Sequence, residues 1–192
     1  MERDAATVGV IGLGLMGTAQ SRRLLGAGFR VRGYDPAPEA IERLKASGGE
    51  PAGTLAEIAR SCPRVVHAVF DTTQVEQVIA GPDGLLSVPE SARRTTLALV
   101  TSTCEPDRVA ALAARVAPLG LDILEVPISG TSASVESGNA VGLVGGHTEH
   151  IAAAADLLAA ICPCYFDMGA VGNGGRTKLA VNLIVGLNRA AM

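Results

Sequence analysis

The sequence predicts an α/β fold, a mostly parallel sheet wound with helices on both faces, and three observations point there. Apolar runs alternate with amphipathic stretches along the chain, the pattern of parallel strands joined by crossover helices. The runs are continuously apolar, as strands buried on both faces require. A glycine turn, Gly12-Leu13-Gly14-Leu15-Met16-Gly17, separates the first run from the first helical stretch. With 192 residues, 48% of them hydrophobic, the chain is long enough to bury the core of one such domain.

The elements follow in order. Thr7–Ile11 reads as the first strand, Met16–Ala27 as the first helix and Arg30–Tyr34 as the second strand. Asp35-Pro36 starts a helix over Pro38–Ser47, and Thr54–Arg60 is a short helix. Arg64–Val69 is a strand, followed by a helix from Thr72 to Ile79 that Gly81-Pro82 closes. Thr95–Val100 and Leu121–Val126 are strands separated by the helix Pro106–Ala117. Asn139–Val144 is a strand stopped by Gly145-Gly146, Thr148–Ala160 a helix and Cys164–Met168 a last short strand. Beyond Gly172-Asn173-Gly174-Gly175 a helical pattern runs over Arg176–Met192. Leu179, Leu183 and Leu187 lie on one face, and no stop signal follows. The expected division is a dinucleotide-binding domain over residues 1–175 and the start of an interdomain helix over 176–192.

Composition excludes several classes. A net charge of −3 and an aromatic content of 3% give neither a basic field nor stacking platforms for nucleic acid. No apolar stretch reaches the ~20 residues of a membrane span, and the acidic N-terminus is no cleavable signal, so a cytoplasmic location is expected. Cys62, Cys104, Cys162 and Cys164 lack metal-ligand spacing, and His67, His147 and His150 are scattered; no metal site is expected.

The glycine turn carries the first chemistry. Gly12-x-Gly14-x-x-Gly17 after a strand and opening a helix is the dinucleotide fingerprint of a Rossmann-type sheet. The first glycine permits the tight turn, the second lets the backbone approach a pyrophosphate, and the third allows helix to pack on strand. Asp35, at the end of the second strand, is placed to bind a ribose 2′-hydroxyl and to repel a 2′-phosphate. NAD is therefore expected, with NADP less favoured; Arg30 and Arg32 nearby weaken that preference slightly.

Four ordered motifs resemble the β-hydroxyacid dehydrogenases, the family of 3-hydroxyisobutyrate dehydrogenase, tartronate semialdehyde reductase and, more distantly, 6-phosphogluconate dehydrogenase. They are Gly-Leu-Gly-Leu-Met-Gly, Thr101-Ser102-Thr103, Glu125-Val126-Pro127-Ile128-Ser129-Gly130-Thr131, and Gly172-x-Gly174-x-x-x-Lys178-x-x-x-Asn182. The resemblance implies that Gly12 to Gly17, Asp35, Val69, Phe70, Thr101 and Ser102 bind the cofactor. It also implies that Ser129, Gly130, Thr131 and Asn182 hold a small hydroxy acid, with Lys178 as general acid and base. Independently of the family, Lys178 and Asn182 are four apart on one helical face, and Ser129-Gly130-Thr131 leaves a strand where open sheets bind ligands. The lysine also separates the chain from the related imine reductases, which usually have another residue there.

The sequence departs from the family where Val69-Phe70-Asp71 replaces Met-Leu-Pro, where Thr131 replaces a second glycine, and over Ser132–Glu136. The resemblance further implies an all-helical C-terminal domain beyond the last helix, absent from this chain, and a homodimer or higher oligomer. Two readings follow. One is the cofactor domain of an NAD-dependent hydroxyacid dehydrogenase, catalytically impaired without that second domain and self-associating through Arg176–Met192. The other is a stand-alone dinucleotide-binding or interaction module without catalysis. The Lys178 motif favours the first, since binding alone does not need it.

Overall fold

The computed structural model describes residues 6–191; the acidic N-terminal segment and Met192 lie outside them. Strands β1 (Thr7–Ile11), β2 (Arg30–Tyr34), β3 (Glu50–Pro51), β4 (Arg64–His67), β5 (Leu97–Val100) and β6 (Asp122–Glu125) form one sheet in the order β3-β2-β1-β4-β5-β6. Every pair in it is parallel. This is the Rossmann order, and its direction reverses between β1 and β4, which opens a crevice at their C-terminal ends.

Both faces are packed. On one side lie α1 (Leu15–Gly26), α2 (Pro38–Ala46), α6 (Ser132–Glu136), α7 (Thr148–Ala153) and α8 (Ala155–Ile161), meeting Val8, Val10, Val66, Leu97, Leu99 and Leu124 of the strands. On the other lie α3 (Leu55–Ser61), α4 (Thr72–Ala80) and α5 (Pro106–Val116), meeting Ile11, Val65, Ala98, Val100 and Ile123. Neighbouring strand residues thus serve opposite cores, and this explains why the runs are continuously apolar.

Three features extend the expectation. A second sheet forms from β7 (Ile128–Ser129), β8 (Val141–Val144) and β9 (Cys164–Asp167), with β7 antiparallel and β9 parallel to β8. It joins the main sheet through an antiparallel bridge between Glu125 and Gly145. The helix expected over Thr148–Ala160 is broken at Ala154. There Arg64 of β4 donates to the Ala153 carbonyl at 2.9 Å, and the Leu157 N–H turns to the Asp156 carboxylate at 2.9 Å instead of continuing the helical ladder. The final helix, α9 (Asn173–Ala190), starts three residues earlier than the pattern suggested.

Candidate active site

The turn after β1 is shaped by its glycines. Gly12 has a φ of 86°, in the left-handed region, and a Cβ there would stand 2.6 Å from the Ala68 carbonyl oxygen. A Cβ on Gly17 would lie 1.8 Å from the Gly12 carbonyl oxygen, so α1 reaches the turn only without a side chain. Around Gly14 the space is open, and an added Cβ would meet nothing within 4 Å. No side chain caps α1, its first turn holds no acid, and the N–H groups of Gly14, Leu15 and Met16 have no acceptor among the described residues. Free donors at the positive end of a helix, reached through open space, fit the pyrophosphate of a dinucleotide.

Asp35 is tied to this turn. Its Oδ2 accepts the Leu13 N–H at 2.7 Å and its Oδ1 accepts the Ala37 N–H at 2.8 Å. Each oxygen keeps acceptor capacity for a sugar hydroxyl. Arg30 pairs with Glu50 at 3.2 Å, and Arg32 donates to Ser61 at 2.8 Å, so both are engaged away from the cleft. Their position favours NAD over NADP.

A cleft of about 1090 Å³ runs along the C-terminal ends of the strands. It brings together Gly12, Gly14, Leu15, Met16, Asp35, Val69, Phe70, Thr101, Ser102, Gly130, Lys178 and Asn182. Leu13 is buried in the core and Gly17 sits behind the turn; neither lines the cleft, nor do Ser129 and Thr131. Four strand spacings, roughly 19 Å at ~4.8 Å each, separate β2 from β6, which is room for an extended dinucleotide between Asp35 and Lys178. Leu15 and Phe70, both more than four-fifths exposed, form apolar lips.

The hydroxyls in the middle of the cleft are already committed as donors. Thr101 Oγ1 donates to the His67 carbonyl at 2.9 Å and receives the Gln20 carboxamide N–H at 3.0 Å. Ser102 Oγ donates to the Val69 carbonyl at 2.7 Å. Both can therefore meet a ligand as acceptors. Thr131 is committed too: it and Ser134 form a reciprocal capping box at α6, with N–H to oxygen distances of 3.2 and 3.3 Å.

Lys178 is the one cationic side chain among the described residues lining the cleft. It is 8% exposed, and among the described residues it makes no ion pair or hydrogen bond. Burial, with no compensating partner, pushes its ammonium below the usual lysine range. Asn182 follows one turn later and lines the same cleft. At the start of α9, the buried Glu125 carboxylate accepts the Gly172 and Gly175 N–H groups at 2.8 and 2.9 Å. Sequence reasoning missed the roles of Gln20 and Glu125. Glu125 is a charged residue in an otherwise apolar buried run, and that was the available signal; Gln20 stands in a polar stretch of α1 and offered none.

Comparison with known proteins agrees with this geometry. The family model for the NAD binding domain of 6-phosphogluconate dehydrogenase matches residues 7–169. L-threonate dehydrogenase of Cupriavidus necator is 35% identical over 185 residues, covering 96% of this chain and 61% of that protein. Mouse mitochondrial 3-hydroxyisobutyrate dehydrogenase is 29% identical, covering 94% of this chain and 53% of that protein. The structure of Mycobacterium tuberculosis 3-hydroxyisobutyrate dehydrogenase with L-serine superposes with a TM-score of 0.87 at 25% identity, covering 97% of this chain and 62% of that one. The chain thus spans between half and two thirds of the length of these relatives. Among the described residues no helix is long and apolar enough to cross a membrane. With the free α1 terminus, the Asp35 anchor and the Lys178 motif on one cleft, the chain belongs to the β-hydroxyacid dehydrogenase family, as its NAD-binding domain.

Proposed function

We propose that this chain is the cofactor domain, residues 1–175 with the first turns of an interdomain helix, of an enzyme that transfers hydride between NAD and a small β-hydroxy acid. The observation that carries the reading is Lys178, a buried amine with no partner among the described residues, on the cleft that holds the dinucleotide turn. When bound, the nicotinamide supplies the hydride acceptor. Lys178 takes the hydroxyl proton as the alcohol is oxidised and returns it in reduction, and burial shifts its pKa downward, the direction that helps a proton acceptor. Asn182, on the same face, orients the substrate hydroxyl. Gly130 lines the cleft, and in this reading its N–H and the hydroxyl of the preceding Ser129 hold the carboxylate, with Thr131 fixing the turn through its capping box.

The relatives' names give the substrate chemistry tested first: L-threonate, 3-hydroxyisobutyrate and 3-sulfolactaldehyde each combine an acid with an alcohol or aldehyde. The reading includes a homo-oligomer, supported by the exposed Leu183, Ile184 and Leu187 of α9. It also includes a cytoplasmic setting, where the free thiols of Cys62, Cys104, Cys162 and Cys164 stay reduced.

The test is a panel of small β-hydroxy acids with NAD⁺ and NADP⁺, followed by absorbance of the reduced cofactor. It is run on this chain and on one extended to the relatives' length. Oxidation of at least one acid with NAD⁺ is expected. Lys178→Ala should lower kcat by about 100-fold or more while leaving the NAD dissociation constant within about threefold. A panel without turnover in either chain, or a fully active Lys178→Ala protein, overturns the reading.

A further inference from the structure

The Gly172–Gly175 segment is explained by what it encloses. Glu125, at the end of β6, is 1% exposed, and among the described residues no side-chain cation hydrogen-bonds to it. Its Oε2 accepts the Gly172 N–H at 2.8 Å and its Oε1 accepts the Gly175 N–H at 2.9 Å. The glycines around it leave no room for anything larger. A Cβ on Gly175 would stand 2.6 Å from Glu125 Oε1, and one on Gly145 would stand 2.9 Å from Oε2. A Cβ on Gly174 would lie 2.3 Å from the Leu143 carbonyl oxygen, which seats α9 directly on β8. Gly172, with a φ of 97°, turns the chain so that its N–H points at the carboxylate.

A carboxylate at this place meets two orphan donors and the positive end of an 18-residue helix. Burial holds its carboxyl above the usual range, and the N–H groups of Gly172, Gly175 and Gly174 offset only part of that rise. Glu125 also joins two parts of the site. Three residues beyond it the chain enters β7 and the Ser129-Gly130 turn. Three residues beyond Gly175, roughly 4.5 Å along the helix, stands Lys178.

We propose that Glu125 is the positioning residue for Lys178: its buried carboxylate pins the start of α9 to the strand that leads into the Ser129-Gly130 turn, and so fixes the lysine amine in the cleft. The proposal rests on the reading of Lys178 as the proton-transfer group. Glu125 touches neither substrate nor cofactor; it acts through the helix. Because Lys178 owes its lowered pKa to burial, loosening the start of α9 lets water reach the amine and returns it toward an exposed lysine.

The chain contains only two lysines, so the effect is directly readable. Protein labelled with ¹³C at lysine Cε gives two side-chain resonances, assigned with Lys45→Arg. Lys45, half exposed and 2.8 Å from Glu42, is the internal reference. In the native chain Lys178 should titrate below Lys45. Glu125→Gln should move the Lys178 midpoint at least about halfway toward that of Lys45 while changing NADH affinity by less than about twofold. If Glu125→Gln does not fold, Glu125→Asp decides: it keeps the charge, loses one methylene of reach, and should give a smaller shift in the same direction. A folded variant with an unmoved midpoint overturns the proposal. So does a shift accompanied by equal loss of NADH binding, which marks general damage. None of these measurements uses turnover, so a failure of the proposed reaction would show separately, in the substrate panel and in Lys178→Ala.

Discussion

Two helices in this molecule begin after glycine-rich loops, and they treat their N-termini in opposite ways. The start of α1 is left open: among the described residues no side chain caps it, and donors from Gly14 to Met16 face the cleft. The start of α9 is filled by the chain's own Glu125 carboxylate, which holds the Gly172 and Gly175 N–H groups. Both are anion seats by the same physics. What separates them is supply: where the fold provides the anion, the helix is fixed as structure, and where it does not, the terminus is available to a ligand. A glycine-rich loop before a helix is therefore no phosphate site until the origin of its counter-charge is known.

The largest effect that sharpens this contrast is expected at Gly17. An alanine Cβ would lie 1.8 Å from the Gly12 carbonyl oxygen, and backbone on both sides leaves little to give. Gly17→Ala should cost about 3 kcal/mol or more, roughly a 10 °C fall in Tm, and abolish NAD binding with it. Gly14→Ala should separate the two consequences. Its φ of −64° suits alanine and its Cβ meets nothing, so stability should change by less than about 1 kcal/mol. That methyl group stands where the pyrophosphate approaches, and NAD affinity should fall about tenfold or more. Thermal melts and NADH titrations of both variants check this; a Gly14→Ala chain that binds NAD normally breaks the account of α1 as the open seat.

The buried polar groups at the strand ends extend the comparison. Glu125 has both oxygens hydrogen-bonded, whereas His67, at the end of β4, is completely buried with neither ring nitrogen hydrogen-bonded among the described residues. Burial without a partner lowers its pKa to about 3. The folded chain keeps His67 neutral while the unfolded chain takes up a proton below about pH 6.5, so stability falls as pH drops from there toward 3. At pH 5 the loss from this group is about 2 kcal/mol relative to pH 8, at ~1.4 kcal/mol per unit. His67→Leu should remove that part of the acid sensitivity, measured by urea unfolding at the two pH values. An unchanged difference between pH 8 and pH 5 would show that His67 is not the group responsible.

Much of this was legible from the sequence because the signals were local. The turn, the strand runs and the Lys178 motif each lie within a dozen residues, and they predicted the sheet and the cleft that holds most of the nominated residues. What escaped depended on distant partners. The break between α7 and α8 comes from Arg64, 89 residues before the carbonyl it takes. The engagement of Glu125 spans 47 and 50 residues. The two-residue strand β7 is too short for any periodicity. Thr131 is the exception, since its partner Ser134 lies only three residues away and the capping-box spacing was open to reading.

The smallest expected effect concerns Asp35, where the two kinds of seat meet. Its carboxylate already receives the Leu13 and Ala37 N–H groups, so part of the open turn is served by the chain itself. Those two bonds hold both oxygens in place and leave the remaining lone pairs for the ribose diol. Asp35→Asn keeps one acceptor oxygen for Leu13 or Ala37 but removes the charge that repels a 2′-phosphate. The preference for NAD over NADP should fall about tenfold, or ~1.4 kcal/mol, with stability lowered by no more than about 1 kcal/mol. Parallel titrations with NADH and NADPH decide it. If the ratio of the two dissociation constants holds steady, the charge of Asp35 is not what selects the cofactor, and its hydrogen bonds to the turn would be its whole contribution.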